Sequence, residues 1–293
     1  GPPDAQLTGR ERCAPAVGSA FSFRALEGSP EGMGSHLKRF AEASGHYVLG
    51  RPHYPGPFIR RIVEACRLDR MHRLLDLGCG PGTVAIAFAP FVGSVLAVDP
   101  EPGMLAEARA AVARSGANVD VREGSSLTLG PAWGRFQAVT MGRSFHWMDR
   151  AETLRRLDGM VEPSGAIILL GEDHPEDLSA PLRAWRDVVE RYSADDRVRA
   201  ERKSPDYPKH EAMLRASAFS HLETIQEREE TTTRVESLIH RAYSMSSTTT
   251  KRLGPRAGQL EEELRAALAG HEGPDGIAET HVWTALIGRR PDR

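Results

Sequence analysis

Cysteine is scarce in this chain of 293 residues: there are three, at positions 13, 66 and 79, scattered and without the spacing of zinc ligands. Reduced thiols in a cytoplasmic protein are the expectation. No run approaches the roughly eighteen consecutive apolar residues of a membrane span, and the N-terminus lacks the apolar core of a signal peptide, so no membrane partner is expected. Nor is there an excess of charge of one sign. Thirty-eight Lys and Arg stand against 40 Asp and Glu, for a net charge of −2, and without a basic field nucleic acid is not an expected partner. Any anion the protein binds must be met by a local cluster. Internal repeats and low-complexity segments are absent too.

What is present concentrates between residues 73 and 104. Arg73-Leu-Leu-Asp-Leu77 reads as a buried strand, Gly78, Gly80 and Gly82 let the chain turn tightly against a ligand, and Thr83–Ala89 begins a helix. Cys79 keeps the turn small. A second strand, Leu96-Ala-Val-Asp99, ends in a carboxylate. In a nucleotide-binding α/β sheet such a group accepts hydrogen bonds from both ribose hydroxyls, and the glycine turn leaves room for the rest of the nucleoside. Asp76, just ahead of the glycines, suits a cationic ammonium and opposes a pyrophosphate, which favours S-adenosylmethionine over a dinucleotide.

These residues resemble motif I and the acidic second-strand motif of class I S-adenosylmethionine-dependent methyltransferases. The likeness continues through Gly142-Arg-Ser-Phe-His-Trp-Met148 and covers residues 40–172 and 277–289. It implies an α/β fold, a Rossmann-like sheet with helical lid insertions. It also implies the cofactor contacts: Asp76 at the methionine end, Gly78, Cys79, Gly80 and Gly82 in the turn, Asp99 on the ribose, Pro100 and Met104 beside the adenine. Where the family often has an acidic residue for the adenine amino group this chain has Ser125 and Ser126, and Ser125 can still accept. Arg143 joins the set at the carboxyl edge of the sheet, where ligands bind in open α/β folds.

With 40% apolar residues the chain can form one large domain with an elaborated lid. Residues 1–35, rich in Gly, Pro, Ser and Ala, read as a flexible arm. Residues 36–172 form the cofactor-binding core with its N-terminal helices, 173–276 the substrate and lid elements with a sixth strand, and 277–293 the final strand and tail. Periodicity predicts helices at Pro57–Cys66, Gly103–Ser115, Leu178–Arg202, Val235–Met245 and Gln259–Ala269. Strands are predicted at Val119–Arg122, Phe136–Met141, Ala166–Leu170, Leu222–Thr232 and Ile277–Gly288.

Methyl transfer asks little of a protein beyond alignment, so specificity lies in the acceptor's pocket. Glu172 ends Ala166-Ile-Ile-Leu-Leu-Gly-Glu172 and is expected at the carboxyl edge, near the transferable methyl. Methylating an alkene carbon leaves a cation that must lose a proton; a carboxylate stabilises the one and accepts the other. With Asp173, Glu176 and Asp177 the same residue also reads as a solvated acidic helix start. Basic and hydroxyl residues make a second constellation: Arg51, His53 and Tyr54; Arg143 and His146; Lys203, Tyr207, Lys209 and His210; Arg241, Tyr243, Ser246 and Lys251 in the lid. Convergent, they suit a diphosphate with Mg2+; dispersed, they are surface charge.

Glu172, Arg51-Pro-His-Tyr54, Tyr207-Pro-Lys-His210 and the small apolar wall Ala212-Met-Leu214 resemble the bacterial prenyl-diphosphate C-methyltransferases, those acting at C6 of geranyl diphosphate above all. That resemblance implies a prenyl diphosphate acceptor held with Mg2+ and touched by Arg51, His53, Tyr54, Tyr207, His210, Ala212 and Tyr243. Glu172 and His146 are then the catalytic residues. The alternative is O-methylation of a small carboxylic acid or hydroxyl, with Arg51 and Arg143 on the acid and His146 as base. A NAD-dependent oxidoreductase is disfavoured by Asp76 and by the glycine spacing, while a non-catalytic S-adenosylmethionine-binding regulator stays open. So do a homo-oligomer and the identity of any metal ligands.

Overall fold

The computed structural model describes residues 44–173, 175 and 178–291. The arm expected over 1–35 lies outside them, as do Cys13, Glu176 and Asp177. Seven strands form one sheet: β1 (Arg73–Leu77), β2 (Ser94–Asp99), β3 (Val119–Glu123), β4 (Phe136–Gly142), β5 (Val161–Asp173), β6 (His221–Thr233) and β7 (Ile277–Arg289), in the order β3-β2-β1-β4-β5-β7-β6. Pairing from β3 to β5 is parallel, whereas β7 runs antiparallel to both β5 and β6. The short central strands are apolar on both faces, as a covered parallel sheet demands. β7 instead alternates buried and partly exposed residues along most of its length.

On one face Phe58 and Ile62 of α2 (Gly56–Ala65) and Phe88 of α3 (Thr83–Phe88) pack on Leu74, Ile168, Trp283 and Ile287. On the other, Leu154 and Leu157 of α5 (Arg150–Asp158) join Leu75, Val139, Phe145 and Phe219. α1 (Ser44–Gly50) precedes these helices and packs on the helix 235–243, and α4 (Pro102–Ser115) is capped by the Glu101 carboxylate accepting from Gly103 N at 3.0 Å. A separate lid core joins α6 (Ala180–Ser193), α9 (Val235–Tyr243) and α11 (Arg256–Leu268) through Leu182, Trp185, Leu238, Tyr243, Leu260 and Leu264. Three short helices complete the lid: α7 (Arg197–Lys203), α8 (His210–Arg215) and α10 (Thr250–Leu253).

Two departures from the periodicity have physical causes. The helix predicted over Leu178–Arg202 is two helices, because the Asp196 carboxylate accepts from Val198 N and Arg199 N at 3.1 and 3.2 Å and starts α7 afresh. β5 extends well beyond Ala166–Leu170, since β7 pairs with it as far as Asp173.

Asp76 ties β1 to its neighbours. It is fully buried, accepting from the Thr140 hydroxyl of β4 at 2.8 Å and from Ala85 N in the first turn of α3 at 3.1 Å. Burial pushes its pKa from the ordinary 3.8 up to about 7, against the downward pull of those two hydrogen bonds. A carboxyl raised in the folded state contributes stability in full below the unfolded value and loses it as pH rises through the folded one. Between about pH 4 and pH 7 the wild type should therefore lose on the order of 4 kcal/mol relative to Asp76→Asn, which does not ionise. Denaturant titrations of both proteins across that range check this; parallel stability curves would contradict it.

Candidate active site

The turn after β1 is built on backbone donors. Gly78 N and Cys79 N both donate to Val98 O, at 2.8 and 3.0 Å, and Gly80 N donates to an Asp99 oxygen at 2.9 Å. The other Asp99 oxygen accepts from Glu101 N at 2.9 Å. Gly78 has φ +71°, and a Cβ there would lie 2.5 Å from that of Ser144, so only glycine fits. Gly80, at φ +53°, faces open space, with nothing within 4 Å of a Cβ. Cys79 is buried and Gly82 caps α3. Pro100 is half-buried, Met104 and Ser126 are buried, and the Ser125 hydroxyl accepts from Leu127 N at 3.3 Å. Burial moves the Asp99 pKa upward, opposed by the Glu101 and Gly80 amides. Each of its oxygens keeps a lone pair for a further donor. An open glycine cradle with a carboxylate at its rim fits the ribose and methionine portions of S-adenosylmethionine.

Ser144, whose hydroxyl donates to Leu77 O at 2.7 Å, links this turn to a cavity of about 540 Å³. Four arginines line it: Arg51, Arg143, Arg199 and Arg202. Arg51 donates to the Ser244 hydroxyl at 2.9 Å, and burial together with the charge of Arg143 brings its pKa down to about 10. Arg143 adopts a left-handed backbone, φ +55°, strained for a residue with a side chain. Its guanidinium lies over Tyr54 and Trp283, at 5.5 and 5.8 Å. One Nη approaches Glu172 to 3.2 Å but is poorly aligned, so its Nε and that Nη lack hydrogen-bond partners among the described residues. Arg202 stacks on Trp147 at 4.3 Å. His146 lines the same wall; burial and then Arg202, His210, Arg150 and Arg51 hold its pKa well below the ordinary range. Burial and Arg150 bring His210 down to about 4. Positive charge is thus crowded and only partly answered here.

Glu190 meets Arg199 at 2.7 Å, Asp173 also lines the cavity, and the carboxylate beside Arg143 is Glu172, at the end of β5. Besides Arg143 it meets His281, whose Nδ1 lies 2.6 Å from its second oxygen. The other His281 nitrogen is 3.4 Å from Glu279, which both Nη groups of Arg241 hold. Burial pushes the Glu172 pKa up. The His281 hydrogen bond and the charges of Arg143, His281 and Arg241 outweigh it and leave the group at about 2.

Of the residues singled out from sequence, Arg51, Arg143, His146, Glu172, His210 and Ser246 meet at this cavity. Others do not. His53 is exposed, Ala212 is exposed on α8, and Tyr207 lies beneath the Arg150 guanidinium at 4.2 Å. Tyr243 is buried in the lid core, donating to Ala257 O at 2.9 Å, and Tyr54 sits behind Arg143. Sequence reading passed over Arg199 and Arg202, which the break before α7 brings to the cavity, and over Glu279 and His281. Those two stand in the inward register of β7, between Ile277 and Trp283, where the alternation calls for apolar residues. Among the described residues no group of three His, Cys, Asp or Glu is placed to hold a metal ion.

Comparison with known proteins agrees with this geometry. Residues 74–165 match the family described as Methyltransferase domain. An uncharacterised methyltransferase of Mycobacterium tuberculosis is 31% identical over 139 residues, 47% of this chain and 54% of that protein. A ubiquinone biosynthesis O-methyltransferase of Azorhizobium caulinodans is 35% identical over 98 residues, 33% of this chain and 39% of that one. The chain thus spans about half the length, or less, of these curated relatives. Among solved structures, an S-adenosylmethionine-dependent methyltransferase of Geobacter sulfurreducens, in complex with S-adenosyl-L-homocysteine, shares the fold with a TM-score of 0.50 at 14% identity, over 87% of this chain and 98% of that one. Residues 74–165 thus match a methyltransferase domain, and the sheet order and glycine turn around them share the fold of a solved S-adenosylmethionine-dependent methyltransferase.

Proposed function

We propose that the protein transfers a methyl group from S-adenosylmethionine to an alkene carbon of a prenyl diphosphate, geranyl diphosphate by preference. The observation that carries this reading is Glu172: a carboxylate held between Arg143 and His281 on the wall of a cavity that four arginines also line. The cofactor supplies the sulfonium methyl. As the alkene π pair forms the new C–C bond the C–S pair stays with sulfur, and the neighbouring carbon becomes cationic. Glu172 stabilises that charge and then takes the proton from the adjacent carbon, restoring a double bond. A carboxylate held near 2 is a poor base for a hydroxyl, yet it stays charged at working pH and suffices for the acidic C–H beside a cation. Arg51, Arg143, Arg199 and Arg202 supply charge for the diphosphate without a protein-held metal, and Met141, Leu169, Met245 and Leu286 give the chain an apolar wall.

A second reading is favoured by His146. Kept neutral in the cavity, it can accept a proton from a hydroxyl, which suits O-methylation of a small anionic acceptor bound by Arg51 and Arg143. Incubation with S-adenosylmethionine and a panel of prenyl diphosphates and small acids, with mass analysis of products, separates the two. Methylated acids and untouched prenyl diphosphates would overturn the first.

Three substitutions probe the assignment. Asp99→Ala should weaken S-adenosylmethionine by roughly 1.5–3 kcal/mol, the scale of hydrogen bonds to a charged acceptor, as read by calorimetry. Glu172→Gln should lower turnover by about 100-fold or more with cofactor affinity unchanged; retention of most turnover makes the carboxylate structural. Arg202→Gln should raise KM for the anionic acceptor by roughly tenfold and leave S-adenosylmethionine binding intact, since the lost contact is with the acceptor's charge.

A further inference from the structure

Glu279 and His281 bury charge where β7 could have buried apolar side chains. His281 is 2% exposed and has a carboxylate at each ring nitrogen, Glu172 at 2.6 Å and Glu279 at 3.4 Å. The register explains the first contact: Glu172 pairs with Trp283, so His281, two residues along β7, is its diagonal neighbour on the same face. Glu279 is in turn held by Arg241 of α9 and by the Thr233 hydroxyl of β6. Arg241 is anchored by donating from Nε to Gly50 O of α1 at 3.1 Å. A continuous chain of polar contacts therefore runs from Arg143 through Glu172, His281 and Glu279 to Arg241, drawing on β4, β5, β7, α9 and α1.

An isolated glutamate at the end of a strand has three torsions and no fixed aim. Here one oxygen faces Arg143 at the cavity and the other is tied to an imidazole that Glu279 keeps from turning. From this the geometry points to His281 as a positioning residue for the methyl-transfer site: it fixes the orientation of the Glu172 carboxylate, with Glu279 and Arg241 locking the ring. The inference rests on the reading of Glu172 given above. The groups facing Glu172 are Arg143 beyond β4, His281 backed by Glu279 on β7, Arg241 on α9, Arg51 and Tyr47 on the N-terminal side, and Tyr54 behind Arg143. Among them only His281 makes a well-aligned hydrogen bond to the carboxylate.

The test pairs a direct reading of the carboxylate with kinetics. In the full chain, 13C NMR of the Glu172 carboxyl should show it ionised down to about pH 2. In His281→Phe, which keeps a ring and removes the donor, its titration should move upward and the acid limb of kcat/KM should follow. kcat should fall by roughly tenfold or more, with acceptor KM and S-adenosylmethionine affinity near wild type. His281→Asn, whose amide keeps a donor near the position of Nδ1, should restore most of both. Equal defects in the Phe and Asn variants, or a wild-type carboxyl that titrates in the ordinary range, would overturn the inference. If His281→Phe fails to bind S-adenosylmethionine and so is not folded, the wild-type titration and the Asn variant decide. A Glu172→Gln protein with full turnover, beside the expected titrations, removes the catalytic role of Glu172 and leaves the positioning by His281 standing.

Discussion

A carboxylate taken out of water must be met by donors, and the way Glu172 is met organises everything around it. Burial of one ion of a pair without the other costs several kcal/mol, so the chain has to deliver Arg143 and His281 together. Arg143 arrives by accepting a strained backbone at the end of β4, pinned by its N–H on Leu170 O at 3.0 Å. His281 arrives only because β5 runs on past the end of β4 and finds an antiparallel partner. Arg241 arrives from the lid. The same contacts that neutralise one side chain therefore fix strand length, loop conformation and lid placement together.

The near-zero net charge conceals a sorting of charge by place. Around the glycine turn the buried charged side chains are Asp76, Asp99 and Glu101, all acidic, met by backbone amides and, at Asp76, by the Thr140 hydroxyl as well. Across Ser144 the cavity is lined by arginines. Under the proposed reaction a cationic methyl donor and an anionic acceptor suit these two sides in turn, and each side would repel the other's ligand. Composition averages this away, since both halves contribute nearly equal and opposite counts.

The parts legible in the sequence were those governed by local rules. Arg73–Leu77, the glycine turn and Asp99 declare themselves because strand, turn and strand end are encoded within a few residues of one another. The sixth and seventh strands and the lid helices α9 and α11 likewise follow from their periodicity. What escaped depends on distant partners. The role of Asp196 as a helix cap hid inside an unbroken amphipathic pattern, and with it the aim of Arg199 and Arg202. α5 went unread although Asp149 caps it by accepting from Glu152 N at 3.0 Å. Tyr207 and Ala212 came with the same family resemblance as His210, but Tyr207 precedes α8 and lies beneath Arg150, Ala212 is exposed on α8, and of the three only His210 reaches the cavity. Glu279 and His281 were visible as polar intruders in an apolar register, and only the pairing of β5 with β7 gives them a reason.

The lid segment between Thr233 and Ile277 leaves and rejoins the sheet at directly paired residues, the last of β6 and the first of β7. Its two ends are thus cross-strand neighbours, fixed by the hairpin they interrupt. A replacement of different length that begins and ends at the same spacing leaves the strand pairing in place, provided that it still supplies the Arg241 partner of Glu279. Only Ser244 to Ser247 of the cavity wall ride on this insertion, so one side of the cavity can diverge while Arg143, His146 and Glu172 stay with the sheet.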